Sequence, residues 1–144
     1  MKVVVQRVTE ACCTVDGKIT GSIKDGFMLL VGFNASDNLD NVNWMVKKIV
    51  NLRVMDDDNG VMNKSILDTG GSVLSISQFT LYADTKNGNR PSYVNAMKSE
   101  DAIKLYQAFN EELKKYVKVE EGIFGANMKI SLVNSGPVTI ILER

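Results

Sequence analysis

Apolar and polar positions change period several times along the chain. Lys2–Val15 is rich in Val, Cys and Thr and predicts one long strand. Asp16-Gly17 is a hairpin signal, and Lys18–Ile23 returns from it. Lys24-Asp25-Gly26 turns again. Residues 27–31, Phe-Met-Leu-Leu-Val, then form an unbroken apolar run, the mark of a strand covered on both faces. The opening predicts a three-stranded meander. Residues 34–40 are polar and offer Ser36 or Asp37 as a helix N-cap. Leu39, Val42, Val46, Ile49 and Val50 follow helical spacing to about Asn51. Trp44 falls off that stripe and is expected to lie flat on a neighbouring strand.

Residues 52–55 predict a short strand. Asp56-Asp57-Asp58-Asn59-Gly60 has the composition of a calcium loop but not its alternating ligand spacing or closing Glu, so a solvated turn is expected. Gly70-Gly71 precedes a buried strand, Ser72–Ser77. Residues 85–92 make a Gly/Asn-rich loop with two positive charges, either a mobile surface loop or a lid that contacts phosphate. Ser99-Glu100-Asp101 is expected to cap a second helix whose apolar face is Ala102, Tyr106, Phe109, Leu113 and Tyr116. Lys114, Lys115 and Lys118 cluster at that helix's end, where they complement its dipole, with RNA binding as the alternative. An alternating strand at 129–133, a Gly-Pro loop and a last strand at 138–142 close the chain. Strand-rich ends with two main helices between them predict an α+β fold: a mixed, curved sheet or open barrel, helices outside, one domain over 1–144.

Composition narrows the chemistry. Seventeen basic and seventeen acidic residues cancel, which argues against a non-specific nucleic-acid coat but leaves room for one phosphate-bearing end. Cys12 and Cys13 are neighbours that point to opposite faces of a strand, so no ordinary bridge and a reducing compartment are expected. No stretch approaches the roughly 20 apolar residues of a membrane helix, and the N-terminal residues turn polar too soon for a signal peptide. There is no histidine. That removes the usual general base, the Ser-His and Cys-His dyads, and imidazole metal sites. Hydrolysis here has to use hydroxyls, amides, carboxylates, backbone groups or the substrate.

Two stretches carry candidate chemistry, and they are expected to meet in one site. The first is Ser77-Gln78-Phe79-Thr80-Leu81, at the end of the buried strand. A hydroxyl without a base is a poor nucleophile, so this stretch suits stabilisation better than attack. Amides near Phe79 and Thr80 could form an oxyanion hole, and Gln78 could orient a hydroxyl or carbonyl. An ordinary strand end with satisfied side chains is the alternative. The second stretch is Asn134-Ser135-Gly136-Pro137-Val138-Thr139. A cis Gly-Pro bond would aim two carbonyls in similar directions and accept from an ammonium group; a plain trans turn is the alternative.

Together these motifs resemble those of the D-aminoacyl-tRNA deacylases. The first eight residues, Asn89-Arg90-Pro91-Ser92 and Phe124-Gly125-Ala126-Asn127-Met128 are also similar to that family, so the resemblance spans 1–144. It implies a cytoplasmic homodimer, without metal or cofactor, acting on the aminoacyl-tRNA 3′ end. It implies hydrolysis of the ester that joins a D-amino acid, or glycine, to the tRNA. In the family, Gly-cis-Pro of one subunit enters the other subunit's pocket. Gly136 and Pro137 carbonyls would hold the substrate amino group, so that an L-substituent clashes. Ser77, Gln78, Phe79 and Thr80 would surround the ester and terminal adenosine, positioning it and stabilising the oxyanion. Thr80 as nucleophile is the lesser role beside assistance from the ribose 2′-hydroxyl. Phe124 and Met128 would line the adenosine pocket or serve as core. Arg7 would buttress the Gly-Pro loop or make a surface ion pair. The competing expectation is a non-catalytic module that binds a tRNA 3′ end or nucleotide.

Overall fold

The first strand, β1 (Lys2–Val15), holds partners on both edges. In the computed structural model, which describes residues 1–144 throughout, β8 (Lys129–Glu143) runs antiparallel to it from Lys2 to Thr14. On the other edge β2 (Lys18–Ile23) pairs with Ala11 to Val15, and β3 (Gly26–Gly32) pairs with Lys2 to Val8. The expected meander is therefore corrected. β3 does not pair with β2, because β2 is too short to cover β1 and the chain bends at Lys24-Asp25 to continue along the uncovered half.

β3 passes the sheet on to β6 (Ser72–Ser77) and then β7 (Val119–Glu121), both in parallel pairings. The ends curl toward each other. Gly21 on β2 faces β7 so closely that a methyl group there would lie 2.9 Å from the Glu121 carbonyl oxygen. The result is α+β, a nearly closed mixed barrel with helices outside, as expected from sequence. A separate small hairpin joins β4 (Met55–Asp56) and β5 (Met62–Lys64).

Both faces of the central strands are buried, for different reasons. Val3, Val5, Phe27, Leu29, Val31 and Val73 face the helix layer, where α1 (Leu39–Val50) supplies Val42, Met45, Val46, Ile49 and Val50. The second main helix, α3 (Ser99–Lys114), adds Tyr106, Phe109 and Leu113. Val8, Ala11, Cys13, Ile23, Met28, Leu74 and Ile76 fill the barrel interior. This double coverage explains the unbroken apolar run of β3. It also separates the cysteines: Cys13 is buried inside and Cys12, half-buried, is free on the other face.

Several local expectations shift by a few residues. The N-cap of α1 is Asn38, which forms a reciprocal capping box with Asn41. Asp37 instead turns inward, accepts from the Asn34 amide at 2.7 Å and pairs with the Met1 ammonium. Leu39 is 56% exposed, since it precedes the buried stripe. Trp44 packs partly on the core under the Arg144 guanidinium. The cap of α3 is Lys98, which gives no side-chain acceptor, and Ser99 is its first helical residue. Tyr116 lies past the end of α3 and is largely exposed. A short helix, α2 (Ile66–Thr69), was not foreseen. The Asp-rich turn is occupied by its own chain: Asp57 accepts from the amides of Asn59 and Val61, which lower its pKa, and Asp58 binds Lys64. Lys114 meets Glu111 and Glu121, Lys115 meets Glu112 and Lys118 meets Glu120, so these lysines are already partnered. No helix is long and apolar enough to cross a membrane.

One buried bond ties α3 to the sheet. Tyr106 donates from its hydroxyl to the Ser75 carbonyl at 2.8 Å, and burial raises its pKa. The Gly122 amide also reaches that carbonyl, so it keeps a partner without Tyr106. Tyr106→Phe should therefore lower the unfolding free energy by only about 1 kcal/mol, with an unchanged m-value in urea.

Candidate active site

β3 and β6 are parallel, and their carboxyl ends open into a cleft of 690 Å³. Ligands commonly bind at such ends of parallel strands. One wall is Val31, Gly32 and Phe33, where β3 ends; a second is Ile76, Ser77, Gln78 and Phe79. A third runs from Phe124 to Met128, and the segment from Tyr93 to Ala102 closes the rim. That segment is held in place by the Met97 amide, which donates to the Phe33 carbonyl at 2.9 Å.

After Ser77 the chain cannot continue as strand. The Gln78 amide makes a last ladder bond to the Val31 carbonyl at 2.7 Å, and a 3₁₀ turn follows over Phe79–Tyr82. The first amides of a helical turn have no acceptor within it. Those of Phe79 and Thr80 donate to no loop carbonyl or side chain either. Two unpaired N–H groups thus stand at the head of the turn, the kind of donor pair that stabilises an oxyanion. Gln78 donates from Nε2 to the Thr80 hydroxyl oxygen. Thr80 is half-buried and does not line the cleft wall, unlike Ser77, Gln78 and Phe79. Tyr82, on the same turn, accepts from Asn34 at 3.2 Å, and burial pushes its pKa up to about 12. Its phenol therefore stays protonated at neutral pH and is no base.

Phe124 and Met128 line the cleft and also pack on the core. Phe124 packs on the Tyr106 ring and Met128 on the barrel interior. Sequence reasoning missed Tyr93, Met97 and Lys98 as cleft residues. Lys98 is the one charged residue of the lining, and nothing in the local pattern marks it. The parallel pairing of β3 with β6 was the missing signal, since it locates the rim. The loop before Tyr93 is pinched by a bridge between Asp84 and Ser92 and is exposed beyond it.

The second stretch lies elsewhere. Residues 134–139 are no loop between two strands but part of one continuous strand, β8. Asn134 pairs with Val8 and Thr139 with Gln6, so residues 135–138 bulge out opposite Arg7 alone. The Gly136-Pro137 bond within the bulge is cis, and both residues are exposed. Gln6 accepts from Asn134 at 2.5 Å and from Thr139 at 3.4 Å, which clamps the two ends.

Arg7 fills the gap in the ladder. It is buried, donates through Nε to the Ser135 carbonyl at 3.1 Å, and through Nη1 to the Val54 carbonyl and the Asp56 carboxylate, both at 2.8 Å. Gly136 has φ +120°, and a methyl group there would lie 2.8 Å from Val138 Cγ2 and 3.2 Å from Arg7 Nη2. Ser77 pairs with Val31, Val31 with Val3, and Val3 with Leu142. The bulge is thus three strands across and several positions along from Ser77, on the order of 15–20 Å at ordinary sheet spacings. Within one chain the two stretches do not meet.

A nearly closed barrel with a cleft at parallel strand ends, an unpaired amide pair and no histidine or carboxylate in its lining suits a hydrolase that positions its substrate. The family model for D-Tyr-tRNA(Tyr) deacylase matches residues 4–143, and the chain belongs to that family. It is accordingly a deacylase, a hydrolase of D-aminoacyl-tRNA. A solved structure described as c-Myc DNA Unwinding Element Binding Protein is 41% identical, with TM-score 0.95 over 100% of this chain and 99% of that one. Another, described as a probable eukaryotic D-amino acid tRNA deacylase, shares the fold at 14% identity, with TM-score 0.84 over 98% of this chain and 97% of that one.

Removing Arg7 should free both ends of its bridge. Arg7→Met leaves the Ser135 and Val54 carbonyls without that donor and should cost on the order of 2–3 kcal/mol in urea unfolding. Amide exchange at residues 134–139 should accelerate more than at residues 2–5, which keep their ladder.

Proposed function

We propose that two copies of the chain assemble one D-selective esterase site, in which the bulge of one copy enters the cleft of the other. The terminal adenosine lies against Phe124 and Met128. The Gly136 and Pro137 carbonyls of the second copy accept from the substrate α-ammonium group, with Arg7 holding the bulge from behind. A D-substituent then points out of the cleft and an L-substituent meets the bulge. Glycine has no substituent to reject and is hydrolysed too. The enzyme works in the cytoplasm, where tRNA is charged.

Water adds to the ester carbonyl, and the developing oxyanion takes the amides of Phe79 and Thr80. Collapse expels the ribose oxygen, which takes the proton given up by the water, and free D-amino acid leaves. The ribose hydroxyl next to the ester helps to hold the water, and Ser77 and Gln78 position the sugar. The observation that carries this reading is the bond at Thr80. Its oxygen accepts from Gln78, an amide donor that cannot take up a proton, so nothing beside it makes Thr80 a nucleophile.

Free amino acid released from D-tyrosyl- and L-tyrosyl-tRNA, with a chelator present, tests the whole scheme. Fast release from the D-ester alone is expected. Thr80→Val should keep activity within about tenfold of the parent, whereas loss of a required nucleophile costs several orders of magnitude. A covalent Thr80 ester trapped on quenching would refute the water mechanism. Gly136→Ala should stay folded by circular dichroism but lose roughly 100-fold in kcat/KM, since it displaces the carbonyls by tenths of an ångström to an ångström. Equal hydrolysis of both hands by the parent enzyme would rule out the bulge as the chiral filter.

A further inference from the structure

The cleft has a charged, aromatic rim whose side chains the ester chemistry does not use. Phe79 is 56% exposed and Tyr93 41%, and their rings meet edge to face with centroids 5.0 Å apart. Lys98 is exposed on the same rim and pairs with no carboxylate, although nine other cations of the chain do. Lys86 and Arg90 are likewise unpaired, on the exposed loop that leaves the turn after Phe79 and returns at Tyr93. Lys98 is thus an unpaired cation on a cleft lined mostly by apolar residues, placed to meet an anion there. An exposed aromatic pair costs hydration unless something flat covers it, and every nucleobase has a flat face.

We propose that this rim is a subsite for the nucleotide that precedes the terminal adenosine. Lys98 contacts the phosphodiester between the two, and the preceding base stacks on the Tyr93 ring, which the Phe79 ring meets edge to face. The inference rests on the placement of the adenosine in the cleft proposed above. It adds that the enzyme grips a single-stranded RNA 3′ end of at least two nucleotides, and that Lys98 acts on binding alone. Neither ring reads hydrogen-bonding edges, so the grip should tolerate any preceding base.

Three D-tyrosyl esters separate the parts: of adenosine, of 5′-adenylate, and of the dinucleotide cytidylyl-adenosine. The parent enzyme should show KM falling in that order with kcat nearly constant. Lys98→Gln should raise KM about fivefold for the adenylate and dinucleotide esters and leave the adenosine ester unchanged. It should also flatten the log–log salt dependence for the dinucleotide ester by about 0.7. Lys98→Arg should restore both. Tyr93→Ala should raise KM about five- to tenfold for the dinucleotide ester only, with unchanged adenosine-ester kinetics as proof of a sound fold. Equal KM for the three esters, or a Lys98→Gln effect shared by all of them, overturns the subsite while leaving the esterase intact. If the parent enzyme releases tyrosine from none of the esters and not from D-tyrosyl-tRNA, the placement of the adenosine falls, and this inference with it.

Discussion

Everything in this fold hangs on a single strand that is paired along both edges. β1 holds β8 on one side and β2 and β3 in succession on the other, so its neighbours inherit their register from it. A doubly paired strand tolerates an interruption only where the freed backbone groups find other partners. The interruption falls opposite Arg7, and the guanidinium supplies donors there to Ser135 and Val54. The bulge that carries Gly136 and Pro137 is therefore not a floppy excursion. A buried cation anchors its base, and Gln6 clamps its two ends from the neighbouring position. If the Gly136 and Pro137 carbonyls judge the handedness of a substrate as proposed, they need that rigidity, because the two hands differ by the exchange of one substituent.

The absence of histidine fits the same logic. With no imidazole to activate a nucleophile, the proposed mechanism relies on placement and charge stabilisation. The turn after β6 offers two free amides, and Gln78 donates from Nε2 to Thr80. Tyr82, the phenol on that turn, is held protonated by burial. An aminoacyl ester is already reactive, so in the proposed mechanism modest stabilisation suffices.

Much of this was legible in the residues, and the failures have physical causes. Strand limits at β1, β2 and β6 followed from β-branched runs and turn glycines, which act locally. The pairing of β3 with β1 was not legible, since the same pattern of two strands and a turn serves a meander equally well. The N-cap moved from Ser36 or Asp37 to Asn38 because a buried ammonium claimed Asp37. Residues 134–139 read as a loop because Gly and Pro are loop residues; only the partner strand reveals that the ladder resumes at Thr139. Arg7 carried no local signal of burial, and Lys98 none of facing a cleft. Both roles are set by chain segments far away in sequence.

The outer edge of β8 joins these strands of reasoning. β8 pairs with β1 alone, and its far edge has no partner in the chain. Along it Val133 and Ile141 are exposed, Ile141 at 66%. Long apolar edges invite association, and proteins commonly shield them with charge, a bulge or a partner. Here the bulge interrupts the edge midway, and the residues that blunt it are Gly136 and Pro137. Under the two-copy reading, the feature that prevents open-ended strand pairing is also the one that enters the neighbouring cleft. Protection of the edge and completion of the site then arise from one contact. On that reading, the chain could not lose the bulge for the sake of a more regular sheet without losing selectivity as well.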